Sequence, residues 1–370
     1  MTLLYSILTV CVFVILLCLF IVFSEKALGQ SGNVEVSLNE FKSFETKRGI
    51  KLIQALKEHD VFLPVACGGK GNCGRCKIRI NSGGGYVTSL EKSCLSEKEI
   101  AENYRLACQI KLKENISLDI PNILLKAKSF KAKLINSRNL AYKIKELVFK
   151  IEDEVELDYQ SGQYLQITRK LPNEDVIRAY SLSSSPKNRK EFSLDVQLVD
   201  GGIMSNYLHS LEIGTTIEFC GPFGDMSVDI NSLYSTETVV LVAGGVGLAP
   251  MRAIISYLIE VKYSGKIILF HGVRCRKYLY SEEEYRNLEN KNNNFCYYPV
   301  LSEPALEDGW IGKTGFVTDY LNEWLDNNKN DLNSIEVFLC GPVAMMEKAN
   351  DLIKSKNINM ESVHSDPFSF

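Results

Sequence analysis

The chain is expected to fold as one N-terminal transmembrane helix followed by three soluble domains. These are a β-grasp domain around a [2Fe–2S] cluster, an antiparallel β-barrel, and an α/β doubly wound parallel-sheet domain. Three observations predict this. Leu3–Phe23 is a run of 21 residues without a charge. Cys67, Cys73 and Cys76 sit in a glycine-rich C-x5-C-x2-C run, with Cys108 downstream. From about residue 235 onward, apolar strands and amphipathic helices alternate, and glycine turns follow the strands. Such βα repeats imply a parallel sheet with ligands at the C-terminal strand ends. At 370 residues the chain exceeds a single core. Its net charge of −3 gives no basis for a nucleic-acid partner.

The boundaries read as 1–32 for anchor and linker, 33–124 for the cluster domain, 129–230 for the barrel and 235–370 for the doubly wound domain. A helix over Leu3–Phe23 spans the ~30 Å hydrocarbon core. No Lys or Arg precedes this run, which is longer than the apolar core of a signal peptide. Lys26, Lys42, Lys47 and Arg48 follow it. The positive-inside rule therefore puts the bulk of the chain in the cytoplasm, behind a single membrane pass. The chain has eleven cysteines, four of them at ligand spacing, which fits a reducing compartment better than a disulfide framework.

In the first soluble domain, Val34–Ser37 and Phe41–Arg48 read as a hairpin and Ile50–His59 as a helix. Cys76–Asn81 reads as a strand, Ser96–Ala101 as a capped helix, and Cys108 is expected on a strand. Cys67, Cys73, Cys76 and Cys108 are the candidate ligands of a [2Fe–2S] cluster, whose usual holder is four thiolates. Zinc knuckles show two C-x2-C pairs, and only Cys73/Cys76 forms one here. Cys94 is an alternative fourth ligand, and the Arg105–Leu106–Ala107–Cys108–Gln109 setting favours Cys108.

Next come short strands with turn signals between them: Lys131–Asn136, Lys145–Lys150, Tyr164–Thr168, Arg178–Ser183, Phe192–Val199 and Thr216–Phe219. They suggest an antiparallel barrel. In Arg178–Ala179–Tyr180–Ser181 an Arg can grip a pyrophosphate, a Tyr offers a flat ring, and a Ser hydroxyl can bond a ring nitrogen. Gly201–Gly202 leads into a helix over Ser205–Leu211, whose free N–H groups suit an anion. In the last domain the first strand, Thr238–Ala243, leads through Gly244–Gly245–Val246–Gly247 to a helix over Met251–Val261. Another strand, Glu336–Cys340, ends in Gly341–Pro342.

The order of these motifs resembles the ferredoxin–NADP reductase superfamily with a fused N-terminal ferredoxin. With the anchor, it is most similar to the family of the F subunit of the sodium-translocating NADH:quinone reductase. The resemblance rests on Ala66–Gly69, Ile80–Gly85, Arg105–Gln109, Ile177–Ser181, Leu301–Pro304, Glu307–Asp308 and Trp310. It implies that Arg178 binds the FAD pyrophosphate, Tyr180 packs on the flavin, and Ser181 contacts its ring near N5. Gly202, Met204 and Ser205 match a second phosphate-binding turn. Gly245 and Gly247 would line the NADH pyrophosphate, Cys340 would stand beside the nicotinamide, and Phe368 would cover the flavin face. Cys340 and Ser181 are thus the candidate catalytic residues.

The implied function is electron input from NADH through FAD and the cluster to a membrane acceptor. That acceptor is quinone, reached indirectly through the other subunits of a membrane complex. One departure stands out. The family carries a long insertion before its RAYS strand, and here only Arg169–Ile177 intervenes. That departure favours an alternative, an anchored reductase feeding an oxygenase or another iron–sulfur acceptor. A non-catalytic electron-carrying protein is a third reading, which the intact Arg178–Tyr180–Ser181 set disfavours. Arg274, Arg276 and Lys277 would suit the 2′-phosphate of NADPH, whereas the resemblance points to NADH.

Overall fold

The computed structural model describes residues 2–28, 32–65, 67–122, 124–152, 154–172, 175–228 and 236–368. The barrel's expected end at 230, the next domain's expected start at 235, and Phe370 lie outside the described residues. The chain falls into two compact units, Met1–Lys126 and Ala127–Phe370.

The first unit opens with helix α1 (Thr2–Leu28). Its described side chains are exposed and, Ser6 apart, apolar, with Phe13 at 67% and Phe20 at 68%. Among the described residues no helix is long and apolar enough to cross a membrane. The described side chains of α1 lie at 5–7 and 10–21, a run shorter than a span.

The ferredoxin sheet contains β1 (Asn33–Leu38), β2 (Lys42–Lys47), β3 (Lys77–Ser82), β4 (Tyr104–Leu106) and β5 (Ile116–Asp119), in the order β2-β1-β5-β3-β4. The β1/β5 pair is parallel, and the other pairs are antiparallel. Alternation puts Val34, Val36 and Leu38 inside, against Leu52, Ala55 and Leu56 of helix α2 (Leu52–Glu58). Helices α3 (Ser89–Lys92) and α4 (Glu97–Ala101) both start with capping boxes, at Thr88/Glu91 and Ser96/Glu99. Cys108 is not on a strand. It lies in a turn directly after β4, closed by Gln109 N donating to Leu106 O at 2.8 Å. The turn brings Cys108 back toward Cys76, and a continuing strand would carry it away.

The second unit begins with β6 (Lys128–Ala141), β7 (Ile144–Ile151), β8 (Tyr164–Lys170), β9 (Asp175–Ser181) and β10 (Glu191–Gln197). Helix α5 (Ile203–His209) and β11 (Thr216–Phe223) follow. The sheet order is β10-β7-β6-β11-β8-β9, with antiparallel pairing throughout. A bridge between Leu182 and Leu194 draws its two edges together, so the sheet curls into a barrel around Leu147, Phe149, Leu165, Phe192 and Phe219.

The same unit continues through β12 (Thr238–Gly244), α6 (Leu248–Glu260), β13 (Lys266–Val273), α7 (Glu282–Lys291) and β14 (Phe295–Leu301). It ends with β15 (Lys313–Thr314), α8 (Val317–Asn327), β16 (Ile335–Pro342), α9 (Val343–Ser355) and β17 (Val363–Phe368). All six strands are parallel, ordered β15-β14-β13-β12-β16-β17. Helix α6 starts earlier than its sequence suggests, because Pro250 is tolerated in a first turn. Strand β17 is polar and contains Pro367, which an edge strand accepts. Its register sets Asp366 beside Cys340 and Phe368 beside Pro342.

Candidate functional site

The cysteine loop is shaped by glycines. Gly68, Gly69, Gly71 and Gly74 all have positive φ, which turns the N–H groups of Gly71, Asn72 and Cys73 toward the Cys67 sulfur. Burial opposes the Cys67 thiolate, and these donors outweigh it, so its pKa is lowered. The four sulfurs form two pairs. Cys67 hydrogen-bonds Cys73, and Cys76 hydrogen-bonds Cys108, which pushes Cys108 down to about 6 and Cys76 up. Among the described residues no three His, Cys, Asp or Glu side chains converge on a single metal ion. Two thiol pairs are what a two-iron cluster requires, because each iron takes two of the four thiolates. The residues therefore fit a [2Fe–2S] cluster. Cys94 lies outside both pairs, and its thiol donates to Gly71 O at 3.3 Å.

Behind the loop is a clamp whose contacts the motif did not reveal. Arg105 is buried and holds Glu91 through Nε at 2.8 Å and Nη2 at 2.9 Å. It also donates to the carbonyls of Gly84, Gly85 and Tyr86. Glu91 in turn accepts the N–H of Leu106, two residues before Cys108, at 3.0 Å. Burial raises the Glu91 pKa, and Arg105 with the N–H groups of Thr88 and Leu106 brings it below the usual carboxylate range. Its sequence signals are the Arg105–Gln109 motif and the T-x-x-E spacing of Thr88 and Glu91.

On β9, at the edge of the barrel sheet, Arg178 is exposed and donates to Ile177 O at 2.8 Å. Tyr180 packs half-buried on the barrel core, and burial raises its phenol pKa. Ser181 is buried where β9 ends. An exposed guanidinium, a flat ring and a hydroxyl on one strand suit the pyrophosphate and ring system of a flavin. Gly202 is the N-cap of α5. Met204 is buried in the barrel core, and the Ser205 hydroxyl accepts from Val199 N at 3.1 Å. These two side chains therefore fasten the turn from inside.

A cavity of about 640 Å³ opens at the C-terminal strand ends, where β12 lies between β13 and β16. This is the switch point at which doubly wound sheets bind ligands. Gly244, Gly245, Gly272, Pro342, Met345 and Phe368 line it, with Ile144 and Gln197 from the barrel. Gly245 has φ +57 and open space around it. Gly247 serves a different purpose, since a Cβ there would meet Cys340 O at 2.2 Å. It allows the turn to pack on β16, while Gly244 and Gly245 face the cavity. Cys340 is fully buried and is not among the cavity-lining residues. Its thiol donates to Asp366 O at 3.1 Å, tying β16 to the strand that carries Phe368.

His271, also fully buried, holds the same turn by donating from Nε2 to Gly245 O at 3.2 Å. Burial pushes its pKa from 6.5 down to about 4. Between those values the unfolded chain binds more protons, so His271 contributes stability above pH 6.5 that is lost as pH falls toward 4. The full loss is roughly 3 kcal/mol. Urea midpoints at pH 7 and pH 5 are expected to differ less in a His271→Phe variant than in the unchanged chain. Equal pH dependence in both would refute this.

Barrel and nucleotide sheet are joined by buried charges. Arg252 on α6 donates from Nη1 to both Asp195 oxygens, at 2.7 and 2.9 Å, and from Nη2 to Glu146 at 3.1 Å. Arg138 pairs with the other Glu146 oxygen.

Known proteins are similar over nearly the whole chain. Residues 39–113 match the 2Fe-2S iron-sulfur cluster binding domain, 131–228 the oxidoreductase FAD-binding domain and 241–351 the oxidoreductase NAD-binding domain. The chain is 31% identical to the Na(+)-translocating NADH-quinone reductase F subunit of Serratia proteamaculans over 399 residues, covering 96% of each chain. The same figures hold for that of Haemophilus ducreyi. The alignment is longer than the 370 residues of this chain, so both relatives contain positions it lacks. Among solved structures, the Amycolatopsis cytochrome P450 reductase GcoB is similar in fold. Its TM-score is 0.73 and identity 24%, over 90% of this chain and 98% of that one. The ferredoxin reductase in carbazole 1,9a-dioxygenase gives 0.68 and 19%, over 91% and 99%.

Proposed function

The chain belongs to the family of the Na(+)-translocating NADH-quinone reductase F subunit, and from that premise we propose that it is the NADH-oxidising electron-input component of a membrane complex that reduces quinone. The observation that carries this reading is the presence, in one chain, of a two-pair cysteine loop and a cavity at the switch point of a dinucleotide sheet. Bound FAD and the cluster supply the conversion of a two-electron hydride into single electrons. The chain's own residues supply placement. Gly244 and Gly245 admit the dinucleotide backbone, Arg178 holds the flavin pyrophosphate, and Tyr180 and Ser181 position the ring. Gly202, Met204 and Ser205 shape the second phosphate turn, with Gly247 setting its dinucleotide counterpart against β16. Cys340 acts from behind the cavity wall, holding the strand that carries Phe368 through its bond to Asp366 O.

NADH is the donor in this reading. Arg274 lines the cavity but faces Glu303 at 3.7 Å, and Arg276 faces Glu282 at 3.8 Å. Lys277 lies over the Tyr142 ring. Each of these cations has a nearby protein group, and the family resemblance favours NADH. The anchor is a single pass through a bacterial inner membrane, with the catalytic domains in the cytoplasm. It is supported by the charge-free Leu3–Phe23 stretch within helix α1.

The detergent-solubilised chain is expected to oxidise NADH with ferricyanide, with kcat/KM for NADPH at least about tenfold lower, a gap of ~1.4 kcal/mol. A non-catalytic electron carrier would show no turnover, and an NADPH preference would overturn the donor assignment.

A further inference from the structure

We propose that Gln109 raises the reduction potential of the cluster by donating a side-chain N–H to the Cys108 sulfur. The proposal rests on Cys67, Cys73, Cys76 and Cys108 being the ligands. Gln109 Nε2 lies 3.3 Å from Cys108 Sγ. The carboxamide also packs against Gly71. A Cβ on Gly71 would stand 2.4 Å from Nε2, 2.7 Å from Cδ and 3.2 Å from Cγ of Gln109. Any side chain at position 71 would therefore evict the amide. Gly71 is itself buried at φ +85, and its carbonyl accepts from the Cys94 thiol at 3.3 Å. The backbone is fixed on the other side by Gln109 N donating to Leu106 O and Ala107 N donating to Cys76 O, at 2.8 and 3.0 Å. Gln109 thus has two constrained ends and a side chain directed at one ligand sulfur.

The physical consequence follows from charge. One-electron reduction adds one negative charge, which the ligand sulfurs share. A hydrogen-bond donor at a sulfur stabilises the more negative state more strongly, so it raises the potential. The amide is neutral at every accessible pH, so the effect does not titrate. Removing the donor is expected to lower the equilibrium constant for reduction on the order of tenfold, about 59 mV for one electron.

The test is an EPR-monitored redox titration of the full detergent-solubilised chain, comparing Gln109→Leu and Gln109→Glu with the unchanged protein. Both midpoints are expected to be more negative, with Glu lower because its carboxylate repels the added charge. An unchanged midpoint in Gln109→Leu overturns the proposal. If that variant loses its iron and sulfide, Gln109→Asn, one methylene short of the sulfur, supplies the same comparison, and an unchanged midpoint there overturns it equally. Absence of a [2Fe–2S] signal from the unchanged chain would instead overturn the ligand assignment.

Discussion

A Cys73→Ala variant is expected to lose quinone reduction by the assembled complex about 100-fold or more while NADH oxidation with ferricyanide stays within about twofold. The substitution removes one of the Cys67/Cys73 pair and leaves one iron with a single thiolate. Its damage stays local, because the cysteine loop belongs to the unit ending at Lys126, while Arg178, Tyr180 and the cavity residues belong to the unit beginning at Ala127. Loss of the [2Fe–2S] EPR signal with retained flavin absorbance is the accompanying spectroscopic result. Quinone reduction that survived the substitution would break the linear order of NADH, flavin, cluster and membrane acceptor.

An Arg252→Leu variant is expected to lose about 3–5 kcal/mol of stability, the usual cost of removing one partner from a buried ion pair. Asp195 explains the size of the effect, because its carboxylate is fully buried and both oxygens face Arg252. Glu146 loses the same partner but keeps Arg138. For a unit of this size the melting temperature should fall by about 10 °C. Arg252→Lys should recover little, since an ammonium cannot reproduce the bidentate fork to Asp195 or reach Glu146 at the same time. Differential scanning calorimetry of the holo-protein measures both, and a drop of less than about 2 °C in Arg252→Leu would show that the pair is dispensable. Because α6 follows the Gly244–Gly247 turn directly, the same variant should also weaken NADH binding. In this way one arginine links the stability of the barrel contact to the shape of the cavity.

Strand β8 ends at Lys170 and β9 begins at Asp175, so only residues 171–174 connect them. The relatives contain positions this chain lacks, and they are expected at this connection. The flavin strand itself keeps Arg178, Tyr180 and Ser181, and the shortened connection leaves its pairing with β8 intact from Tyr164↔Ser181 to Lys170↔Asp175. Whatever the insertion contributes in the relatives, the hairpin does not need it to form.

The features legible in the sequence are those whose physics is local. The C-x5-C-x2-C loop, the charge-free N-terminal run, the Arg178–Tyr180–Ser181 strand and the glycine turn after β12 each lie within a few residues, and so does the chemistry they imply. Strand alternation and βα periodicity likewise gave the order of the domains. Contacts between distant residues could be decided only by the tertiary structure. Gln109 meets Gly71, and Arg252 meets Asp195 and Glu146 across separations of 57 and 106 residues. Cys340 turns to Asp366 because β17, too polar to announce itself, pairs with β16. The sequence thus determined which cofactor chemistry this chain can hold, through residue types that sit next to one another. Which sulfur receives an amide, which glycine faces the cavity and which charges are buried together depended on packing between segments far apart in the chain, where burial and close approach set the energy.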